Sequence, residues 1–348
     1  MLKRIAVMAA ALLLCLGILI GWFGYGTSPT VEKWRTIWIE TAMTTGSHQW
    51  LATLFFSREA VDAAIAGRYH GEGVIGGEEF LAGSHPFSAA DDRLNQRALT
   101  VGEPDYAGYT VLINDTQQGI VVSEITGEGY RGRAVLVDDP SRLMLVNTPH
   151  PDKEGLYISQ YLDRYDAIAG INAAGFSDVG SGEHGAHVVG MTRAEGKDWG
   201  EYITGFGSMV LTRDHHLVVG DIGPWGESIR CGIQFEPVLI ADGRPCVEGS
   251  AGYGLQPRAA IGQRADGALI LVVIDGRDLS HSLGCTVGDL AEIMLRYDAL
   301  NAGCCDGGSS AVLAYDGKVI TRSCAANPYT GRQLPNAFLI KRKEGTSS

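Results

Sequence analysis

Carboxylate, guanidinium and amide side chains fall together with glycines in three short segments of this 348-residue chain. Pro257-Arg258-Ala259-Ala260-Ile261-Gly262 leads into an apolar run that ends at Asp275-Gly276-Arg277. Cys305-Asp306-Gly307-Gly308-Ser309-Ser310 follows a helical pattern, and Gly170-Ile171-Asn172-Ala173-Ala174-Gly175-Phe176 comes earlier in the chain. A carboxylate can take or give a proton, a guanidinium binds oxyanions through paired N–H groups, and glycine lets a backbone come close to a ligand. Set at the ends of buried strands, this mixture suits an anionic, hydroxyl-rich substrate. Each segment alone also reads as a β-turn, and Asp266-Gly267 and Asp316-Gly317 are read as turns only.

Other chemistries find less support. G-x-G-x-x-G occurs at Gly71/Gly73/Gly76, at Gly127/Gly129/Gly132 and at Gly180/Gly182/Gly185. The first follows a helical stretch and the second sits between strands; three matches in one glycine-rich chain show how weak the pattern is, and nucleotide binding is not expected. Ser309 and Ser310 lack the Gly-x-Ser-x-Gly elbow of a hydrolase, and no Cys-x-x-Cys spacing supports a zinc site.

The elements that must position these residues are short. Residues 31–67 read as helical, 84–105 as a polar linker, and from residue 106 the chain becomes β-type: 110–113, 120–125, 133–137, 143–146, 209–212, 217–219, 238–240, 268–274, 311–315 and 337–340. The run 269–274 suggests a strand buried on both faces. One helix interrupts the strands, with Thr286 as N-cap, Asp289 at the third helical position and an apolar stripe of Leu290, Ile293, Met294 and Tyr297. The expected fold is α+β, a mixed, largely antiparallel sheet core with few helices, preceded by an N-terminal transmembrane helix.

That helix is expected because residues 5–25 carry no charge and would span roughly 30 Å, with Lys3 and Arg4 on the short side. Positive charge there places the N-terminus in the cytoplasm and the rest of the chain outside, as a single-pass protein of the cell membrane. A cleaved signal peptide competes with this signal anchor, but no small-x-small site follows the run. Trp22, Trp34, Trp38 and Trp50 cluster where rings would sit among lipid headgroups, and packing of a membrane-proximal helix accounts for them equally well. The domains are then 1–4 (cytoplasmic tail), 5–26 (anchor), 27–105 (membrane-proximal helical region and linker) and 106–343. Six cysteines lie beyond residue 230, and either partial disulfide pairing or buried free thiols is expected. A net charge of −12 argues against nucleic acid as a partner, although local arginines can still bind phosphate. With 47 glycines beside 45% apolar residues and no Gly-X-Y period, the chain is neither collagen-like nor disordered.

Taken together the motifs resemble the phosphodiester glycosidase family, whose animal member removes N-acetylglucosamine from a phosphodiester-linked sugar. The likeness is strongest over 166–341 and rests on 171–176, 256–262, 273–277, 286–290 and 306–310 in that order, with Asn327-Pro328 and 332–339 similar to the family's closing segment. The N-terminal anchor looks like that of bacterial members associated with cell-envelope or exopolysaccharide synthesis. Cys304-Cys305 and the pair His184 and His187 depart from the family pattern, which bears on substrate more than on reaction type. The resemblance implies hydrolysis of the glycosidic bond of a sugar-1-phosphodiester in a glycan. Asp306 is the first choice for the catalytic carboxylate and Asp275 the second. Arg258 and Arg277 are assigned to the phosphate; Asn172 and the Gly307-Gly308 backbone to orienting sugar or phosphate; and Ser309 to supporting Asp306. Glu183, His184 and His187 form a loop that could close over the site. No cofactor is required, while a divalent metal and the oligomeric state are left open. A non-catalytic glycan-binding scaffold and a phosphodiesterase cleaving the phosphate ester are the alternatives.

Overall fold

The computed structural model describes residues 2–45, 48–69, 73–82, 84–87, 92–151, 153–178, 185 and 187–344. The chain divides into two compact units, residues 1–68 with 250–255, and residues 69–249 with 256–348.

The smaller unit is helical. Leu2–Tyr25 is followed by Pro29–Met43, whose N-cap Ser28 accepts the Val31 N–H and whose first residue is a proline, both natural helix starters. Arg35 reaches back to donate to the carbonyls of Gly24 and Gly26 at 3.0 Å, satisfying the open end of the first helix. Two shorter helices, Trp50–Thr53 and Arg58–Ala66, close a small core of Ile39, Ala42, Ala52 and Val61. Among the described residues no single helix is long and apolar enough to cross a membrane; by length and composition one pair does pass, Ala11–Tyr25 with Pro29–Met43, bent by 90°. The expected apolar N-terminal helix is thus present, and the chain turns sharply after it into the second helix.

The larger unit is α+β, with every strand pairing among the described residues antiparallel. An eight-stranded sheet runs Arg244–Pro245, Val238–Ala241, Ala299–Cys305, Arg258–Arg264, Leu269–Ile274, Tyr130–Val137, Ile120–Gly127 and Thr110–Asp115. A five-stranded sheet runs Lys318–Val319, Leu313–Tyr315, Ala167–Asn172, Asn336–Lys341 and Leu143–Asn147. A six-stranded sheet runs Ile75–Gly76, Leu217–Gly220, Ser208–Thr212, Ile229–Gln234, Thr192–Ala194 and Lys197–Trp199. One apolar core draws on all three, through residues such as Val135, Leu271, Ile171, Phe338, Met209 and Ile233. All six residues of Leu269–Ile274 are buried, as its uninterrupted apolar run requires.

The helix after Thr286 forms as its sequence dictates: Val287–Arg296 opens with a reciprocal capping box between Thr286 and Asp289. The second helix of this unit, Ile158–Tyr165, and the strands Ala167–Asn172 and Ile229–Gln234 escape the sequence pattern. The described residues of 84–105, expected as a polar linker, fall in the same unit as the sheets. Ile75–Gly76 adds an edge strand, and buried Asp105 accepts from the hydroxyls of Ser123 and Tyr297 at 2.7 and 3.0 Å. All seven cysteines are free thiols, four of them buried.

Candidate active site

Asp306 stands directly after the strand Ala299–Cys305, and its backbone N–H donates to the carbonyl of Ala173 at 2.9 Å, just past the strand Ala167–Asn172. The ends of two sheets are thereby tied together. Asn172, 1% exposed, completes the tie: Nδ2 donates to the Asp306 carbonyl at 2.6 Å, and Oδ1 accepts the Val312 N–H at 3.1 Å. Its carboxamide clamps the main chain on both sides of the turn Gly308–Ser310. The turn needs its glycines. A Cβ on Gly307 would lie 2.8 Å from the Pro257 carbonyl oxygen, and Gly308 holds φ +60° with its N–H bonded to that same oxygen at 2.9 Å.

Two guanidinium groups act on Asp306. Arg277, exposed and in the left-handed region at φ +59°, is held by Gln256, whose Oε1 accepts from Nη2 at 2.6 Å and from Nε at 3.1 Å. Its Nη2 would lie 3.2 Å from a Cβ on Gly308, so the guanidinium lies against that turn. Arg332 lies over the Phe176 ring at 4.6 Å, donates to Ser309 Oγ at 3.3 Å and pairs with Asp178. Burial pushes the Asp306 carboxyl up to about 6 from an ordinary 3.8. The Ser310 hydroxyl, the charge of Arg332, the Gly307 N–H and the charge of Arg277 pull it back down. The outcome is a desolvated carboxylate, partly open to solvent at residue level, that is ionised at neutral pH and close to its titration point.

Other expected residues are placed differently. Asp275 is 5% exposed and fully engaged: Oδ2 meets His281 Nε2 at 2.8 Å and Oδ1 accepts the Arg322 N–H at 2.8 Å. Burial raises its pKa, and the His281 and Arg322 bonds oppose that shift. Asp275 therefore fastens the loop 276–284 to the chain near residue 322. Arg258 is 8% exposed, with Nε donating to the Cys285 carbonyl at 3.4 Å. Two-residue alternation puts it on the strand face shared with Gly262, which lies against Met294 of the helix Val287–Arg296. Its charge lowers the thiol pKa values of Cys285 and Cys304, against the larger effect of burial. The hydroxyl on the Asp306 carboxyl is that of Ser310, while Ser309 bonds to Arg332. His187 lies in the hairpin pairing Phe176–Ser177 with His187–Val188, beside a different cavity; Glu183 and His184 lie outside the described residues. Among the described residues no three His, Cys, Asp or Glu side chains converge as a metal would require.

Sequence reasoning left Arg332, Ser310, Gln256 and His281 without roles. The first three lay inside recognised motifs, which is the signal that could have found them. His281 has none, because Asp275 meets it only through the fold of its loop.

Asp306 just past one strand end, with Arg277 and Arg332 at the turn beside it, forms a constellation that proton-transfer chemistry on an anion could use. The phosphodiester glycosidase family model matches residues 165–341, and this chain belongs to that family. Among solved structures, the catalytic domain of zebrafish N-acetylglucosamine-1-phosphodiester alpha-N-acetylglucosaminidase, auto-inhibited by its pro-peptide, superposes with a TM-score of 0.52 at 16% identity, covering 77% of this chain and all (100%) of that one. At that identity the likeness is one of fold. A hypothetical protein from Synechocystis aligns with a TM-score of 0.46 at 15% identity over 68% of this chain and 64% of its own. The SPbeta prophage-derived uncharacterized protein YomE of Bacillus subtilis (strain 168) is 45% identical over 64 residues, 18% of this chain; the chain spans only 10% of that protein's length.

Proposed function

We propose that this chain hydrolyses the glycosidic bond of a sugar-1-phosphodiester, with Asp306 as the catalytic carboxylate. The observation that carries the proposal is the placing of Asp306 beside the turn Gly308–Ser310, against which the Arg277 guanidinium lies and to whose Ser309 Oγ Arg332 donates at 3.3 Å. Two guanidinium groups can hold the phosphodiester oxygens, leaving the anomeric carbon near Asp306. Water adds to that carbon as its bond to the phosphate oxygen breaks. The bonding pair leaves with the phosphomonoester, and the water proton passes to the Asp306 carboxylate. A phosphomonoester is a stable leaving group, so the main demand falls on the base and on holding the anion. Asn172 acts through Asp306, by fixing its main chain. The chain is further read as anchored in a cell membrane by its apolar N-terminus and as working on a cell-envelope glycan. The uncharged run at 5–25 behind Lys3 and Arg4 supports the first, and the carbohydrate chemistry of the family is compatible with the second.

Hydrolysis of N-acetylglucosamine 1-(methyl phosphate) in 18O-labelled water tests the reaction. The label is expected in the sugar. Label in the phosphate identifies a phosphodiesterase, and saturable binding without product identifies a scaffold; either overturns the proposal. Asp306→Asn is expected to lower turnover by about 10²–10⁴-fold with the fold intact by circular dichroism.

A further inference from the structure

Beside the strand ends that carry Asn172 lies a second polar pocket with no part in the cleavage step. Register places three asparagines across one end of the five-stranded sheet: Asn172 ends its strand and pairs beside Asn336 at Ala337, and Asn336 pairs directly with Asn147. At about 4.8 Å per strand, Asn147 lies roughly 10 Å along the sheet from Asn172. Asn147 is 6% exposed, and neither its Oδ1 nor its Nδ2 has a hydrogen-bond partner. Asn336, fully buried, uses Oδ1 for the Ala174 N–H at 2.9 Å and leaves Nδ2 unpartnered. A buried polar group left unmatched costs about 1–3 kcal/mol, so the amide of Asn147, the one of these that lines the pocket, calls for a ligand or bound water to complete it.

The pocket fits one kind of ligand. A cleft of about 200 Å³ is walled by Trp199, His187, Val188, Pro151 and Pro335, with Asn147 among its lining residues. Asn147, Thr148, Pro151 and Trp199 also line a wider depression of about 690 Å³, whose remaining charged residues are one cation and one anion, Arg164 and Glu195. An indole and apolar walls with the uncommitted Asn147 amide, and no excess of positive charge, suit a neutral polyol rather than a phosphate. We propose that this pocket is a subsite for a neutral pyranose unit of the glycan, one that flanks the scissile bond. Its place on the glycan rests on the reading of Asp306 as the cleavage centre; its ability to bind sugar does not.

Saturation-transfer NMR of the full chain with methyl α-mannoside and methyl N-acetylglucosaminide tests the subsite directly. At least one glycoside is expected to bind. Binding should weaken by about tenfold or more in Asn147→Leu and Trp199→Ala, for the loss of one or two hydrogen bonds or a stacking face. It should persist in Asp306→Asn, and Asn147→Leu should melt no lower than wild type, since its amide satisfies nothing within the protein. A merely structural asparagine would lower the melting temperature instead. No binding to wild type, meaning a pocket filled by water alone, overturns the subsite. So does binding that survives in both Asn147→Leu and Trp199→Ala, or that is lost in Asp306→Asn. The labelled-water experiment fails or succeeds separately, because it reads cleavage of a small methyl diester.

Discussion

Asp306 and Asp275 show why two desolvated carboxylates of similar sequence setting have different uses. Burial raises both, but Asp275 spends its oxygens on His281 and the Arg322 N–H, whereas Asp306 faces mobile-proton chemistry with a value of about 6. Because the reactive form is ionised, kcat/KM should rise with pH and level off above about 6. Arg332→Gln and Ser310→Ala each remove an influence that lowers the Asp306 pKa, so both should move the acid limb upward; a limb that stays in place removes Asp306 from the rate profile. The same shift has a thermodynamic sign. A carboxyl whose folded value is raised gives stability that is present below 3.8 and lost as pH climbs through about 6. Asp306→Asn should therefore raise the melting temperature at pH 8 relative to wild type while giving no gain near pH 4.

Elements fix where these side chains meet, and glycine conformation is part of that fixing. Gly308→Ala puts a Cβ at φ +60° and 3.2 Å from Arg277 Nη2, so the guanidinium must move. The matched control is Gly317→Ala, at φ +73° with nothing within 4 Å. Both should lose about 1–2 kcal/mol of stability to left-handed strain, but only Gly308→Ala should raise KM for the phosphodiester. Equal KM values in the two would detach Arg277 from the substrate. Strands such as Leu269–Ile274 and the helix Val287–Arg296 were legible because apolar runs, turns and a capping box are local signals. The direction of Arg258 was not: its strand is buried on both sides, so no polar alternation marks the face it takes. Arg332 and Asp178 were equally hidden, since their pairing joins positions 154 residues apart and depends on how Asn336–Lys341 enters the sheet. The apolar N-terminus was legible as a helix, but the 90° turn after it depends on Gly26, Ser28 and Pro29 together with Arg35.

For the whole molecule, the reading of a membrane anchor makes a simple demand on cell fractions. The full chain should sediment with membranes and resist carbonate extraction, and deletion of residues 2–26 should release it; a full chain recovered in the supernatant refutes the anchor. Anchored copies would share a crowded surface, and there the borders of the three sheets matter. Four borders are strands of two or three residues, Arg244–Pro245, Lys318–Val319, Ile75–Gly76 and Lys197–Trp199, three of them carrying a charge and one a proline. The fifth, Thr110–Asp115, is interrupted by a bulge between Val111 and Ile113. The sixth, Leu143–Asn147, has its first carbonyl occupied by Arg230 Nη2 at 2.7 Å. None offers a long, flat row of free amides for a neighbour's chain to extend, so copies packed side by side are protected from fibril-like association by the way each sheet stops.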